Sequence, residues 1–462
     1  MSGALEADVV VIGLGPGGEH LAASLARAGV SVVGVDRRLV GGECPYFGCI
    51  PSKMMIRAAG ALAEARRVPG LAGDSDVRAD WTTVADRIRD EATDVWDDTV
   101  AVERLEKAGV RFLRGHGRLA GPGRVVVSTD AGDQEVAVRR GVVLNTGTEP
   151  AVPPIDGLAD TPYWTNRDAV RLRELPSSLV VLGGGAIGCE LAQAFSRFGV
   201  EVTVVEAGER ILGPEEPEAS RVVAETLEAE GVAVRAGVGV TAVRHDGAFD
   251  IALADGTSLG AQALLVAAGR RTNLGDVGLD TVGLDPQARS LDTDERMRVR
   301  GADDLWAIGD ITGKGAFTHV SMYQAGVALR DLTDADGPWA DYRAASRATF
   351  TDPEVGAVGL TEAQAREQGI RVGVGTAALA ESSRGWIHKV GNEGLVKVVA
   401  DLDRGVLVGG TAVGPSGGEV VGMLVTAVHA AVPLDTLRGM HFAYPTFHRA
   451  IETALSELSG VS

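Results

Sequence analysis

The chain has 462 residues, 45% apolar and 4% aromatic, with 62 glycines, 44 basic and 63 acidic side chains and a formal charge of −19. That length suits about three domains, and a field of that sign repels nucleic acid and anionic membranes, leaving a small-molecule substrate as the expectation. No apolar run approaches the roughly 20 residues of a membrane span. The first such run, 9–12, follows no basic segment and leads straight into a glycine turn, so it reads as a strand of a cytoplasmic protein and not as a signal peptide.

The predicted elements begin with that strand. It runs into Gly13-Leu14-Gly15-Pro16-Gly17-Gly18, a helical pattern through Leu21, Leu25 and Ala28 closed by Gly29, and a second strand over 30–35 that ends at Asp36. This is a β-α-β unit with the G-x-G-x-x-G fingerprint of dinucleotide binding. Gly13 makes the turn, Gly15 lets a pyrophosphate approach the backbone, and Gly18 lets helix and strand pack. The helix N-terminus offers N–H groups and a positive dipole to the phosphates, and Asp36 is placed to accept hydrogen bonds from ribose hydroxyls.

Next come Gly41-Gly42-Glu43-Cys44-Pro45-Tyr46-Phe47-Gly48-Cys49-Ile50-Pro51-Ser52-Lys53, which hold two of the three cysteines. Five residues of regular helix rise about 7.5 Å, more than the about 4.4–6.8 Å between Cα atoms that a disulfide tolerates. A bridge from Cys44 to Cys49 therefore needs a distorted turn, which Pro45, Gly48 and Pro51 can supply. Such a bridge would be strained and easily reduced, and one close pair in a chain of this kind points to redox chemistry. The carboxylate of Glu43 is expected to raise the adjacent thiol's pKa. Tyr46 and Phe47 either shape an apolar pocket or pack. The third cysteine, Cys189, reads as structural.

Residues 81–108 carry apolar positions at Val84, Ile88, Val95, Trp96, Val102 and Leu105, the spacing of one helix face. Short strands follow, through Val142-Val143-Leu144. Pro150, Pro153 and Pro154 then mark a hinge. A second copy of the first plan comes next: a strand at 179–182, Gly183-Gly184-Gly185-Ala186-Ile187-Gly188, a helix through Leu191, Phe195 and Phe198, and a strand over 200–205 ending at Glu206. In both copies the acid lies 23 residues after the first glycine. Two complete copies imply two dinucleotides in one chain. Beyond Gly269, the run Leu305-Trp306-Ala307-Ile308-Gly309-Asp310 is a further strand. The expected architecture is α/β, with two Rossmann-like dinucleotide-binding domains and a C-terminal α+β domain, divided as 1–150, 151–271, 272–342 and 343–462.

These residues together resemble the FAD-dependent pyridine nucleotide-disulfide oxidoreductases, the family of dihydrolipoamide dehydrogenase, glutathione reductase and mercuric reductase. The resemblance runs through both fingerprints, Cys44 to Lys53, Asn145-Thr146-Gly147, Gly269-Arg270-Arg271, Ala307-Ile308-Gly309-Asp310 and the segment Phe350 to Glu362. It implies FAD on the first unit, with Gly13, Gly15, Gly18, Asp36, Gly42, Lys53, Thr146, Gly147, Asp310 and His319 around it. It implies NAD on the second, with Gly183, Gly185, Gly188, Glu206 and Gly269. Glu206 would repel a 2′-phosphate, while Arg210 nearby leaves NADP open. Hydride from the nicotinamide would reach the flavin, tuned by the Lys53–Glu190 ion pair. Cys49 would exchange electrons with the flavin, and Cys44 would attack the substrate. The family also implies a homodimer, through a C-terminal dimerisation domain, with the active site between subunits.

One departure stands out. Thiol-disulfide members place a His before Pro-Thr near the C-terminus and a Glu five residues later, as acid–base for the interchange thiol. Here those positions are Tyr444 and Arg449. A phenol titrating near about 10 shuttles protons poorly at neutral pH, unlike an imidazole near about 6.5. Mercuric reductase also carries a tyrosine there, but no cysteine follows Cys189 to match its C-terminal pair. His441 or His448 could substitute as base, or His448 could merely pair with Glu452 one turn on. Three functions stay open: turnover of a small disulfide or dithiol, reduction of a metal ion or quinone, and a redox sensor. No resident metal is expected.

Overall fold

The computed structural model describes residues 5–460. Contacts divide the chain into two compact units, one comprising the chain up to Pro51 with Arg87–Pro150 and Arg270–Asp341, the other comprising Ser52–Asp86, Ala151–Gly269 and the chain from Tyr342 onward.

The first unit is built on a seven-stranded sheet. Arg111–Arg114, Val32–Asp36, Leu5–Ile12 and Gly132–Leu144 lie side by side and parallel, and Leu305–Ala307 adds in parallel to the far end of Gly132–Leu144. The near end of that long strand continues antiparallel into Arg124–Thr129 and His116–Leu119. The second half of the strand Leu5–Ile12 is all Val and Ile (Val9, Val10, Val11, Ile12) because both of its faces are covered there. Leu21 and Leu25 of the helix Pro16–Arg27 pack on one face, along with Ala325 and Ala328 of the helix Thr318–Leu332.

The second unit carries three sheets. Ala233–Ala236, Glu201–Glu206, Ser178–Leu182 and Ala263–Val266 form a parallel sheet, with the helix Ala186–Arg197 following its central strand. Val240–His245, Phe249–Leu253 and Ser258–Ala261 form a small antiparallel sheet. The C-terminal segment forms five antiparallel strands, and the helices Gly417–His429 and Ala450–Ser456 bury Leu424, Ile451 and Leu455 in its core. Among the described residues no helix is long and apolar enough to cross a membrane.

The single helix expected over 81–108 is not there. Trp81–Arg87 is helical, a widened turn follows at Ile88–Ala92, and the chain then breaks before a second helix, Thr99–Lys107. At the break Asp94, Val95 and Trp96 all have positive φ (47°, 58° and 58°). For residues with a Cβ this costs roughly 1–2 kcal/mol each, and local bonds offset it. Thr93 Oγ1 accepts the Trp96 N–H, the Trp96 indole N–H donates to the Tyr46 carbonyl at 3.0 Å, and Asp97 Oδ1 accepts the Thr99 N–H at 2.6 Å. Val95, placed on the buried face by its spacing, is 63% exposed. The apolar period survives the break, which is why periodicity alone does not see it.

Candidate functional site

The two fingerprint turns share one geometry. Gly13 and Gly183 have φ of +93° and +112°, a region open to glycine, and a Cβ at either would overlap a carbonyl oxygen, of Asn145 or of Ala267. A Cβ at Gly18 or Gly188 would likewise overlap the carbonyl oxygen of Gly13 or Gly183, so helix and turn touch backbone to backbone. Each acid is fixed by its own turn. Asp36 accepts the N–H groups of Leu14 and Arg38, both at 2.7 Å, and Glu206 accepts those of Gly184 and Gly208, both at 2.7 Å. The sequence directs these acids toward ribose; in the structure they hold the glycine turns in shape.

The first unit fits a dinucleotide. The helix that starts at Pro16 has no side-chain cap, so its first-turn N–H groups stay open to a phosphate. Gly42 (φ +69°) packs so closely that a Cβ there would lie 2.8 Å from Gly15 Cα, which clears the backbone path. The buried hydroxyl of Thr146 finds no hydrogen-bond partner among the described residues, an orphan that a ligand would satisfy. Asp310 Oδ2 accepts from the Thr148 hydroxyl at 2.6 Å, and Arg270 Nε donates to that hydroxyl at 2.7 Å. Gly147 is open, and His319 is exposed and stacked on Phe317 with ring centroids 5.4 Å apart.

The cysteine segment is distorted as the spacing requires. A short helix, Glu43–Tyr46, stops at Phe47, and a new one, Cys49–Arg67, starts two residues on. The Glu43 carbonyl accepts the N–H groups of both Phe47 (2.8 Å) and Gly48 (2.7 Å), and this tightening turns the chain back on itself. Cys44 and Cys49 are both carried as thiols. Their side chains hydrogen-bond to each other, and that bond, followed by burial, pushes the Cys44 thiol well above its usual range. Glu43 is not the cause expected from sequence. Its carboxylate is turned toward the Arg270 guanidinium at 3.5 Å. Tyr46 is a core residue, buried and bonded through its hydroxyl to the Asp97 carbonyl at 3.4 Å.

In the second unit Lys53 Nζ meets Glu190 Oε2 at 2.8 Å and lies 4.8 Å from the Phe350 ring centre. Glu190, Gln193 and Arg197 follow one face of the helix Ala186–Arg197. They bind the Phe350 N–H, the Asp352 N–H and carbonyl, and the Asp352 carboxylate respectively. Lys53 lies four residues after Cys49 on the helix Cys49–Arg67, and so on the same face. The second fingerprint helix has no side-chain cap either, and Gly185 and Gly269 are open. Arg210 does not reach out for a 2′-phosphate. Its Nη2 donates to the carbonyls of Gly213 and Glu215 at 2.7 and 3.1 Å.

Tyr444 is 67% exposed, with the Arg449 guanidinium 5.2 Å from its ring centre. Glu452 pairs with Arg449 at 2.9 Å, so it is not the partner expected for His448, which instead lies beside Phe442. Sequence reading missed Thr318 altogether, and it named Arg270 only as part of the Gly269-Arg270-Arg271 motif, without its contacts to Thr148 and Glu43. Those partners are far away in the chain. Among the described residues no cluster of three or more His, Cys, Asp or Glu side chains could hold a metal ion.

The comparisons with known proteins agree with this geometry. The family model described as pyridine nucleotide-disulphide oxidoreductase matches residues 7–325, and the model of that family's dimerisation domain matches 345–455. A dihydrolipoyl dehydrogenase of Halobacterium salinarum is 34% identical over 98% of this chain and 96% of its own. A mercuric reductase of Streptomyces lividans is 32% identical over 97% and 95%. Among solved structures, the Cu(II) complex of the HOCl-induced flavoprotein disulfide reductase RclA from Escherichia coli is 26% identical, with a TM-score of 0.85, covering 98% of this chain and 99% of its own. The duplicated turns, the paired thiols and these matches place the chain in the pyridine nucleotide-disulfide oxidoreductase family, as an FAD-dependent enzyme that uses NAD(H).

Proposed function

We propose that this enzyme uses NADH to reduce a thiol-binding metal ion, Cu(II) or Hg(II), held by its Cys44–Cys49 dithiol. The observation that carries this reading is the exposed Tyr444 with Arg449 against its ring, where an imidazole–carboxylate dyad would be needed for disulfide exchange. A disulfide substrate releases a thiolate that must be protonated, and a phenol is a poorer proton shuttle at neutral pH than an imidazole. A metal ion has no such leaving group, and thiolates are the preferred ligands of soft cations.

Bound FAD would take hydride from the nicotinamide and deliver the electron pair that keeps the cysteines reduced. Gly13, Gly15, Gly18, Asp36, Gly42, Thr146, Gly147, Asp310 and His319 are the residues that would hold it, and Gly183, Gly185, Gly188, Glu206 and Gly269 those that would hold NAD. Lys53, oriented by Glu190, supplies positive charge on the same helix face as Cys49. Cys49 is the sulfur that takes the electrons, and Cys44 the one that meets the acceptor. The sum balances: two thiols become one disulfide and two protons while two Cu(II) become Cu(I) or one Hg(II) becomes Hg(0). The dimerisation-domain match supports a homodimer whose active site is completed between subunits, working in the cytoplasm, where NADH is supplied.

The second reading, turnover of a small disulfide or of dihydrolipoamide, is favoured by the dihydrolipoyl dehydrogenase relatives. Steady-state NADH oxidation with Cu(II), Hg(II) and lipoamide separates the two. Metal turnover should exceed lipoamide turnover at neutral pH and be lost in Cys44→Ser, and the double variant Tyr444→His with Arg449→Glu should gain lipoamide turnover. Wild-type lipoamide turnover faster than metal turnover would overturn the proposal.

A further inference from the structure

The helix Thr318–Leu332 is locked in place by side chains on successive turns. A Cβ at Gly17 would overlap the Ser321 hydroxyl, which itself lies 3.3 Å from Asn145 Oδ1. Gln324, fully buried, accepts the Gly309 N–H at 2.6 Å and donates to Thr312 Oγ1 at 3.0 Å. These bonds fix the first residue of the helix, Thr318, whose β-branched side chain has few rotamers to choose from. Phe317 stands at the N-cap and the helix has no side-chain cap there. The Thr318 hydroxyl lies 3.5 Å from Cys49 Sγ and also hydrogen-bonds Cys44, where it acts against the upward push of Cys49 and burial.

We propose that Thr318 is the positioning residue of the dithiol, its hydroxyl donating to whichever of the two sulfurs carries the charge. A threonine hydroxyl has one proton and a free rotation about Cβ–Oγ, so the same group serves Cys49 or Cys44 without moving the backbone. The charged and titratable groups around the pair are otherwise committed. Glu43 faces Arg270, Lys53 on the cysteine helix pairs with Glu190, and His319 stacks on Phe317. With Tyr444 in the place of the family's histidine, the Thr318 hydroxyl joins the Cys49 backbone, which already bonds Cys44, in holding the reactive anion at neutral pH.

This inference rests on the dithiol reading above, though not on the identity of the acceptor, and its test uses none. The purified holoenzyme is reduced and alkylated with iodoacetamide across a pH series, with FAD content followed by visible absorbance. Thr318→Val should shift the alkylation profile alkaline and lower the neutral-pH rate about tenfold, the equivalent of about one pKa unit, at unchanged FAD content. Thr318→Ser should restore the wild-type profile. A valine variant with the wild-type profile overturns the proposal. So does a serine variant displaced as far as an alanine one, because then the methyl group and not the hydroxyl matters. If Thr318→Val does not fold, the comparison of Ser with Ala decides alone.

Discussion

Glu190 divides its carboxylate between two partners: Oε2 takes the Lys53 ammonium at 2.8 Å and Oε1 the Phe350 backbone N–H at 2.8 Å. The side chain is 5% exposed, while that of Lys53 is 35% exposed. The buried partner therefore matters more to stability. Glu190→Ala should cost about 1 kcal/mol, since it removes the acceptor of a half-buried N–H. Glu190→Gln, which keeps an acceptor for Phe350, should cost less. Urea unfolding of both variants checks this, and equal losses would show that the Phe350 bond carries no weight.

Cys189 is buried inside the second fingerprint helix, and its thiol is bonded to the Gly184 carbonyl at 3.3 Å. Burial, and after it the Glu190 and Glu206 carboxylates, push this thiol up to about 12. The unfolded thiol ionises near about 8.5. The native state therefore binds a proton that the unfolded state has lost, and the associated stability falls as pH rises from that value toward the folded one. Between about pH 8 and pH 10.5 the wild type should lose on the order of 2 kcal/mol more than Cys189→Ala. Paired denaturation curves at the two pH values test the sign; a constant gap would mean the thiol stays solvated.

Coenzyme choice should follow the second acid. Glu206 is locked onto the Gly184 and Gly208 N–H groups, and Arg210 onto the Gly213 and Glu215 carbonyls. NADH should therefore exceed NADPH in kcat/KM by about tenfold or more, since at least about 1.4 kcal/mol separates a repelled phosphate from none. Arg210→Ala should leave that ratio unchanged. A collapse of NADPH use in Arg210→Ala would show that the guanidinium swings out to the phosphate.

A chain of polar contacts joins the cysteine segment to the expected flavin cradle: Glu43 to Arg270 at 3.5 Å, Arg270 to Thr148 at 2.7 Å, and Thr148 to Asp310 at 2.6 Å. Arg270→Ala removes the central donor and leaves Asp310 less constrained. FAD release, followed by fluorescence on dilution of the holoenzyme, should speed up about tenfold, about 1.4 kcal/mol. Thr148→Val should act in the same direction. Unchanged release in both would confine Arg270 to local packing.

Much of this site was legible in the sequence because its parts are local. Both glycine turns and their acids lie within single β-α-β units, and the cysteine segment announces its own distortion through Pro45 and Gly48. What stayed hidden depends on distance along the chain. Thr318 lies 269 residues from Cys49, and Lys397, 2% exposed in the five-stranded sheet, is made tolerable by Glu216, Glu218 and Glu362. A sequence window sees neither set of partners. The break at Asp94–Trp96 was hidden for another reason. Bonds of Thr93, Trp96 and Asp97 together hold a turn there, while the helical period remains intact on paper.

The two glycine turns match in their hydrogen bonds, but not in what leans on them. Asn145 donates its side-chain amide to the Gly13 carbonyl at 3.2 Å and meets Ser321 through its oxygen. The corresponding neighbours of Gly183 are Ala267 and Ala268, which have no polar side chain to offer. The first turn is tied to distant residues, while the second is tied only within its own unit, by Glu206 and by the Cys189 thiol on the Gly184 carbonyl. The expected consequence concerns residence times: a dinucleotide on the first turn should leave more slowly than one on the second.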